Sequence, residues 1–140
     1  MYLVDFGTSS ITQAVIVVLM IRHIARSRVV TRTIILSSVN GYLLLGVLGA
    51  SLFSIANGVH IFLNGPGSAG IVLPSDGSPE FSDYLYLSFI TLTTVGYGDV
   101  MAVSHLTRSI AILIGLSGQL YMTLLIAMLV GKFLAANKDG

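Results

Sequence analysis

Polar positions divide this chain into three apolar runs of unequal length and one short apolar segment that ends in polar, glycine-punctuated sequence. The first run, Ile11 to Ala25, predicts a helix that Ser9 or Ser10 would cap. Its purely apolar core, Ala14 to Ile21, falls short of the roughly 20 residues a spanning helix needs, although Tyr2 to Phe6 extend it outward. The second run, Thr33 to about Leu63, predicts a helix about 46 Å long at 1.5 Å per residue, long enough to tilt or protrude. Ser37, Gly41, Gly46, Gly49, Ala50 and Ser54 form small-xxx-small pairs along it, which let a neighbouring helix approach closely. Asn40 and Asn57 are expected to bond across helices. The third run, Leu106 to Ala136, predicts a helix that is also long enough to span.

Between the second and third runs, Asn64 to Ser78 is rich in Gly, Pro and Ser and predicts a surface loop. Ser78 as cap with Pro79 at the first helical position signals the start of a further helix, and Ser82 is a rival cap. That helix runs to Thr93 and is too short to cross a bilayer. A short helix followed by extended chain reads as a re-entrant loop. Its C-terminal end carries roughly half a negative charge from the peptide dipoles and favours a cation at the centre of the membrane. Val100 to Ser104 then returns to the outer surface.

Composition places this pattern in a bilayer. Hydrophobic residues make up 54% and charged residues 9% of the 140 positions, and mean hydropathy is +0.91. An average soluble domain carries about 25% charged residues. A net charge of +1 and the absence of a basic stripe give no basis for a nucleic-acid partner. With no cysteine there is no disulfide framework and no thiolate metal site. No basic region precedes the first apolar run, so nothing resembles a cleavable signal.

The polar interruption, Thr93-Thr94-Val95-Gly96-Tyr97-Gly98-Asp99, reads as an ion selectivity filter. Non-helical backbone at membrane depth is tolerated where it lines an enclosed or water-filled space. There, a dehydrated cation partners the carbonyl oxygens. Moving a small ion into low dielectric costs of order 20 kcal/mol, so several oxygens must replace its water shell together. One strand cannot supply them. Turning successive carbonyls to one side requires backbone angles of alternating hand, and Gly96 and Gly98 accept positive φ without a Cβ clash. Val95 and Tyr97 then turn outward into packing, the Thr94 hydroxyl adds an oxygen at the inner end, and the Asp99 carboxylate stands just beyond the outer end.

Thr94 to Asp99 reads TVGYGD, and on this motif the chain resembles the tetrameric potassium channels. The resemblance covers roughly Thr33 to Asn137 and does not clearly cover the first thirty or so residues. It implies a homotetramer in which each chain supplies one quarter of every oxygen cage, with potassium at Thr94, Val95, Gly96 and Tyr97 and no resident cofactor. It makes Phe81 to Thr93 the pore helix, with Thr93 beside the filter. It places a gating hinge at Gly118, with Gln119, Met122 and Ile126 facing a water-filled cavity and Val130 and Leu134 narrowing the inner mouth. Close packing is the competing account of Gly118, and the simple account of Gly115. The family often has a basic residue where this chain has Arg108, which is expected to bond neighbouring backbone or loop groups. Many members carry a tryptophan pair where this chain has Tyr86 and Leu87, and some bacterial members carry a glutamate at the place of Ile90. Tyr86 can still offer its hydroxyl to Asp99.

Charge placement gives an orientation. Asp76, Glu80, Asp83 and Asp99 lie between Asn64 and Asp99 with no Lys or Arg, whereas Arg22 to Arg32, Lys132 and Lys138 lie at the opposite ends. The filter loop is therefore expected outside and the basic ends in the cytoplasm, in a plasma (inner bacterial) membrane. Arg22, Arg26, Arg28 and Arg32 are spaced four, two and four apart. A voltage sensor needs threefold spacing, so these arginines are read as a basic linker. The expected organisation is an N-terminal helix and linker over residues 1–32 and a pore domain over residues 33–137. The fold class is an all-α membrane protein of outer helix, re-entrant helix and filter loop, inner helix and one additional N-terminal helix.

Rival chemistry is thin. Gly96 to Met101 starts like a dinucleotide fingerprint but lacks its third glycine and its strand-to-helix setting. His23, His60 and His105 have no metal-ligand spacing, and no enzyme is expected. Three alternatives stand beside the potassium pore: a weakly selective cation channel, a pore module cut from a larger voltage- or ligand-gated protein, and a non-conducting membrane interaction protein.

Overall fold

The computed structural model describes residues 11, 12, 15, 19, 22, 32–74 and 77–136. Of the expected N-terminal helix, Ile11, Thr12, Val15, Leu19 and Arg22 are helical. The rest of that helix and its cap, with Arg26, Arg28, Asp76 and Lys138, lie outside the described residues.

Continuous apolar sequence forms two long helices, α1 (Arg32–Asn64) and α3 (His105–Ala136), within a residue of the expected ends. Within them, Ile35–Asn64 and His105–Gly131 are long and apolar enough to cross a membrane. A short helix, α2 (Phe81–Leu92), packs between the two. A two-residue antiparallel ribbon pairs β1 (Ile71–Val72) with β2 (Met101–Ala102), in the register Ile71 to Ala102 and Val72 to Met101. The ribbon was not expected. Its strands are two residues long and lie thirty positions apart, so no local alternation announces it.

The core forms where α2 meets the long helices and includes Ala50, Phe53, Leu87, Ile90, Leu92 and Ile114. The small residues of α1 make this close approach possible. A side chain at Gly46 would run into the ring of Phe89, and one at Gly49 would meet the Ser88 hydroxyl and Ile114. Ser88 donates from Oγ to the Gly46 carbonyl at 2.7 Å, so a fully buried hydroxyl is satisfied by the facing helix. Lower down, Gly41 accommodates Tyr121 of α3, whose hydroxyl reaches the Ser38 carbonyl at 2.7 Å. Asn57 bonds across elements as expected, whereas Asn40 is exposed and makes no such bond among the described residues.

The start of α2 departs from the expected signal. Its cap is Glu80, not Ser78 or Ser82, because Asp83 Oδ2 accepts the Glu80 backbone N–H at 2.8 Å and ties off the first turn. Pro79 therefore precedes the cap. At the start of α3, Ser104 accepts the Thr107 backbone N–H on its Oγ at 3.1 Å, the geometry of a serine cap.

Candidate functional site

Polar backbone and side chains converge where α2 ends. Thr93 caps the helix, with its N–H bonded to the Phe89 carbonyl at 2.9 Å and its hydroxyl donating to the same oxygen at 2.7 Å. The Tyr42 hydroxyl of α1 takes the Leu92 carbonyl at 3.2 Å. This C-terminus, with its negative dipole end, leads directly into Thr94.

The next five residues alternate in hand. Thr94 has φ 60°, Gly96 φ 54° and Gly98 φ 81°, whereas Val95 and Tyr97 between them are not in the positive region. Alternation of this kind turns successive carbonyls toward one side of the strand. No atom lies within 4 Å of a Cβ built on Gly96 or Gly98, so backbone conformation and not space requires glycine there. Thr94 is the surprise, a β-branched residue in the left-handed region. Two contacts hold it: its N–H bonds the Thr91 carbonyl at 3.1 Å, and Gln119 Nε2 approaches its Oγ1 at 3.4 Å. The Gly96 N–H bonds the Ile90 carbonyl at 3.1 Å, which folds the segment back on α2.

At the outer end, Tyr86 donates its hydroxyl to Asp99 Oδ2 at 2.7 Å. This bond to the carboxylate, ahead of desolvation, pushes the Tyr86 hydroxyl up to about 12, and the same bond, against desolvation, holds the Asp99 carboxyl below its ordinary value. Beyond it, Val100 is buried in the core, and Arg108 Nε reaches the Ala102 carbonyl at 3.4 Å.

Val95 and Tyr97 remain 52% and 74% exposed, so the outward packing expected for them is not supplied within one chain. On α3, Gln119, Met122, Ile126, Val130 and Leu134 recur at three- and four-residue spacing and are all exposed, as are Leu113, Leu116, Leu120 and Leu124 of the same helix. Gly118 has a packing reason for being glycine, since a Cβ there would press into the Leu92 carbonyl and side chain. By contrast, a Cβ on Gly115 would lie 3.8 Å from its nearest neighbour, in ordinary contact.

Sequence reasoning missed the left-handed Thr94, and also Tyr42 and Tyr121, whose rings lie 5.7 Å apart beneath this segment. A signal existed for the tyrosines, because a phenol inside an apolar helix must find an acceptor. Among the described residues, no group of three His, Asp or Glu is placed to hold a metal ion, and no buried side-chain polar atom lacks a partner.

A family model described as "Ion channel" matches residues 29–135. No curated protein and no solved structure matches the chain.

Proposed function

We infer that this protein passes potassium, from the premise that the chain belongs to the ion channel family. In this reading, four copies surround a central axis and Thr94 to Gly98 of each line it with backbone oxygens. The observation that carries the reading is the alternation of positive φ at Thr94, Gly96 and Gly98, immediately after the C-terminus of a helix too short to cross the membrane. A strand of that shape presents a row of oxygens on one side, and an ion without its water shell needs such a row from several directions at once.

Each part of the chain then has a task. Carbonyls of Thr94, Val95, Gly96 and Tyr97, with the Thr94 hydroxyl, replace water around potassium. The C-terminal dipole of α2 steadies a cation waiting below the filter. Tyr86 and Asp99 brace the outer end. Gln119, Met122 and Ile126 line the cavity, Val130 and Leu134 form a dewetting constriction, and Gly118 bends the inner helix during gating. Neighbouring copies cover the exposed Val95 and Tyr97. Acidic Glu80, Asp83 and Asp99 on the filter side raise the local cation concentration at an outer mouth. The basic ends then face the cytoplasm of a plasma membrane.

Flux from liposomes containing the purified protein tests this. Potassium efflux with sodium excluded, from a species with the mass of four chains, is the expected result. Equal passage of the two ions would leave a weakly selective cation channel. Absence of any flux would leave a non-conducting membrane protein.

A further inference from the structure

Gly70, in the loop before β1, stands at the centre of a dense group of buried hydrogen bonds. Its N–H donates to Asn57 Oδ1 of α1 at 2.7 Å, and Asn57 Nδ2 donates to the Tyr84 hydroxyl of α2 at 2.8 Å. Its carbonyl accepts from the Thr107 hydroxyl of α3 at 2.7 Å, the Val103 N–H at 2.9 Å and the Ser104 N–H at 3.2 Å. The Ser104 and Thr107 hydroxyls share a further bond at 2.9 Å. Asn57 and Thr107 are 2% and 0% exposed. A single residue, through its N–H and its carbonyl, therefore joins all three helices to the chain leaving the filter.

Space is as constrained as bonding. A Cβ on Gly70 would lie 2.9 Å from Asn57 Oδ1, 3.1 Å from Thr107 Cγ2 and 3.2 Å from Ser104 Oγ. The Gly70 φ is not in the positive region, so glycine is needed here for room. Only two residues separate Asp99 from β2 partner Ala102, and Val100 between them is buried. Wherever Gly70 fixes Val103 and Ser104, Asp99 is carried with them toward Tyr86.

We propose that Asn57, Gly70 and Thr107 form a positioning node that sets the exit strand of the filter, so that the Tyr86–Asp99 bond holds the outermost oxygen ring when external potassium is scarce. This rests on the filter reading above. The node residues touch no ion. They act through the strand that follows Asp99 and through Tyr84, which lies on the same helix as Tyr86. An outer mouth depleted of potassium loses the cation that offsets repulsion among its oxygens, and then depends on its protein braces.

The test uses the full chain in liposomes and measures potassium flux against external potassium concentration. Thr107→Val keeps the shape and removes the hydroxyl, and Thr107→Ser keeps the hydroxyl. Thr107→Val, which removes the bonds to the Gly70 carbonyl and the Ser104 hydroxyl, is expected to raise the potassium needed for half-maximal flux by at least roughly two- to tenfold, the range that loss of one of them gives. Thr107→Ser is expected to stay within about twofold of the unaltered protein, as a retained donor requires. Combined with Tyr86→Phe, Thr107→Val should add little, because both act on one bond. Tyr84→Phe, which removes only the partner of Asn57, should shift the same curve in the same direction and covers the case in which Thr107→Val fails to assemble. An unshifted curve, or effects of Thr107→Val and Tyr86→Phe that multiply independently, would overturn the node while leaving potassium selectivity intact. Equal sodium and potassium flux in the unaltered protein would remove the filter reading, and the node would fall with it.

Discussion

The hydroxyl of Tyr86 and the carboxylate of Asp99 meet at 2.7 Å, joining the middle of α2 to the residue that ends the glycine-punctuated segment. The pair spans the segment like a strut, since its two ends lie thirteen residues apart in sequence. Removing the hydroxyl with Tyr86→Phe leaves the ring in place and the carboxylate unbraced. We expect flux through this variant to decline several-fold faster than in the unaltered protein once external potassium is withdrawn.

The same pair predicts a pH window. Asp99 is held below its ordinary value of 3.8, so its contribution is fully present above that value and is lost as pH falls through the depressed one. Tyr86 is raised from 10.0 to about 12, so its contribution is fully present below 10.0 and is lost as pH rises through about 12. Flux measured against external pH should therefore separate the unaltered protein from Tyr86→Phe between these limits, and the two curves should converge in strong acid and strong alkali.

Gly98 carries φ 81° with open space where a Cβ would stand. An L-residue there costs about 1–2 kcal/mol per copy from backbone strain alone. Gly98→Ala is expected to abolish conduction, and D-alanine introduced at the same position, for which this φ is favourable, is expected to restore it. Single-channel recording of the two forms checks the claim.

Gly118 faces the Leu92 carbonyl so closely that Gly118→Ala must displace α3 from the end of α2. Overpacking of this kind costs roughly 1–3 kcal/mol. We expect the variant to melt at lower temperature than the unaltered protein. Gly115→Ala, whose Cβ has room, should melt at or above it, because alanine favours the helix. Thermal unfolding in detergent distinguishes the two. A hinge role for Gly118 would appear separately, as altered opening in the protein that does assemble.

Much of this architecture was legible because it is written locally. Runs of apolar residues announced α1 and α3, and the bond from Tyr86 to Asp99 was expected from the resemblance to potassium channels, which puts Tyr86 where many members carry a tryptophan. Gly96 and Gly98 signalled positive φ because glycine bears no Cβ. Thr94 gave no such signal: its left-handed backbone accompanies the turn off α2, where its N–H bonds the Thr91 carbonyl, and Gln119, whose Nε2 approaches its hydroxyl, lies twenty-five residues away in sequence. Glu80 displaced Ser78 as the cap because Asp83, in the first turn, completes the bond that decides it. Gly70 lay unnoticed in a loop whose Gly, Pro and Ser content suggested only surface. Its importance depends on Asn57 and Thr107, and tertiary packing alone brings those two together.

Thr94 to Gly98 are proposed to hold potassium in preference to sodium. The most direct measurement is the reversal potential of current through the purified protein in a planar bilayer, with potassium on one side and sodium on the other. A reversal potential that follows the potassium gradient and is indifferent to sodium is expected. A reversal potential at zero with equal concentrations of the two ions would contradict it.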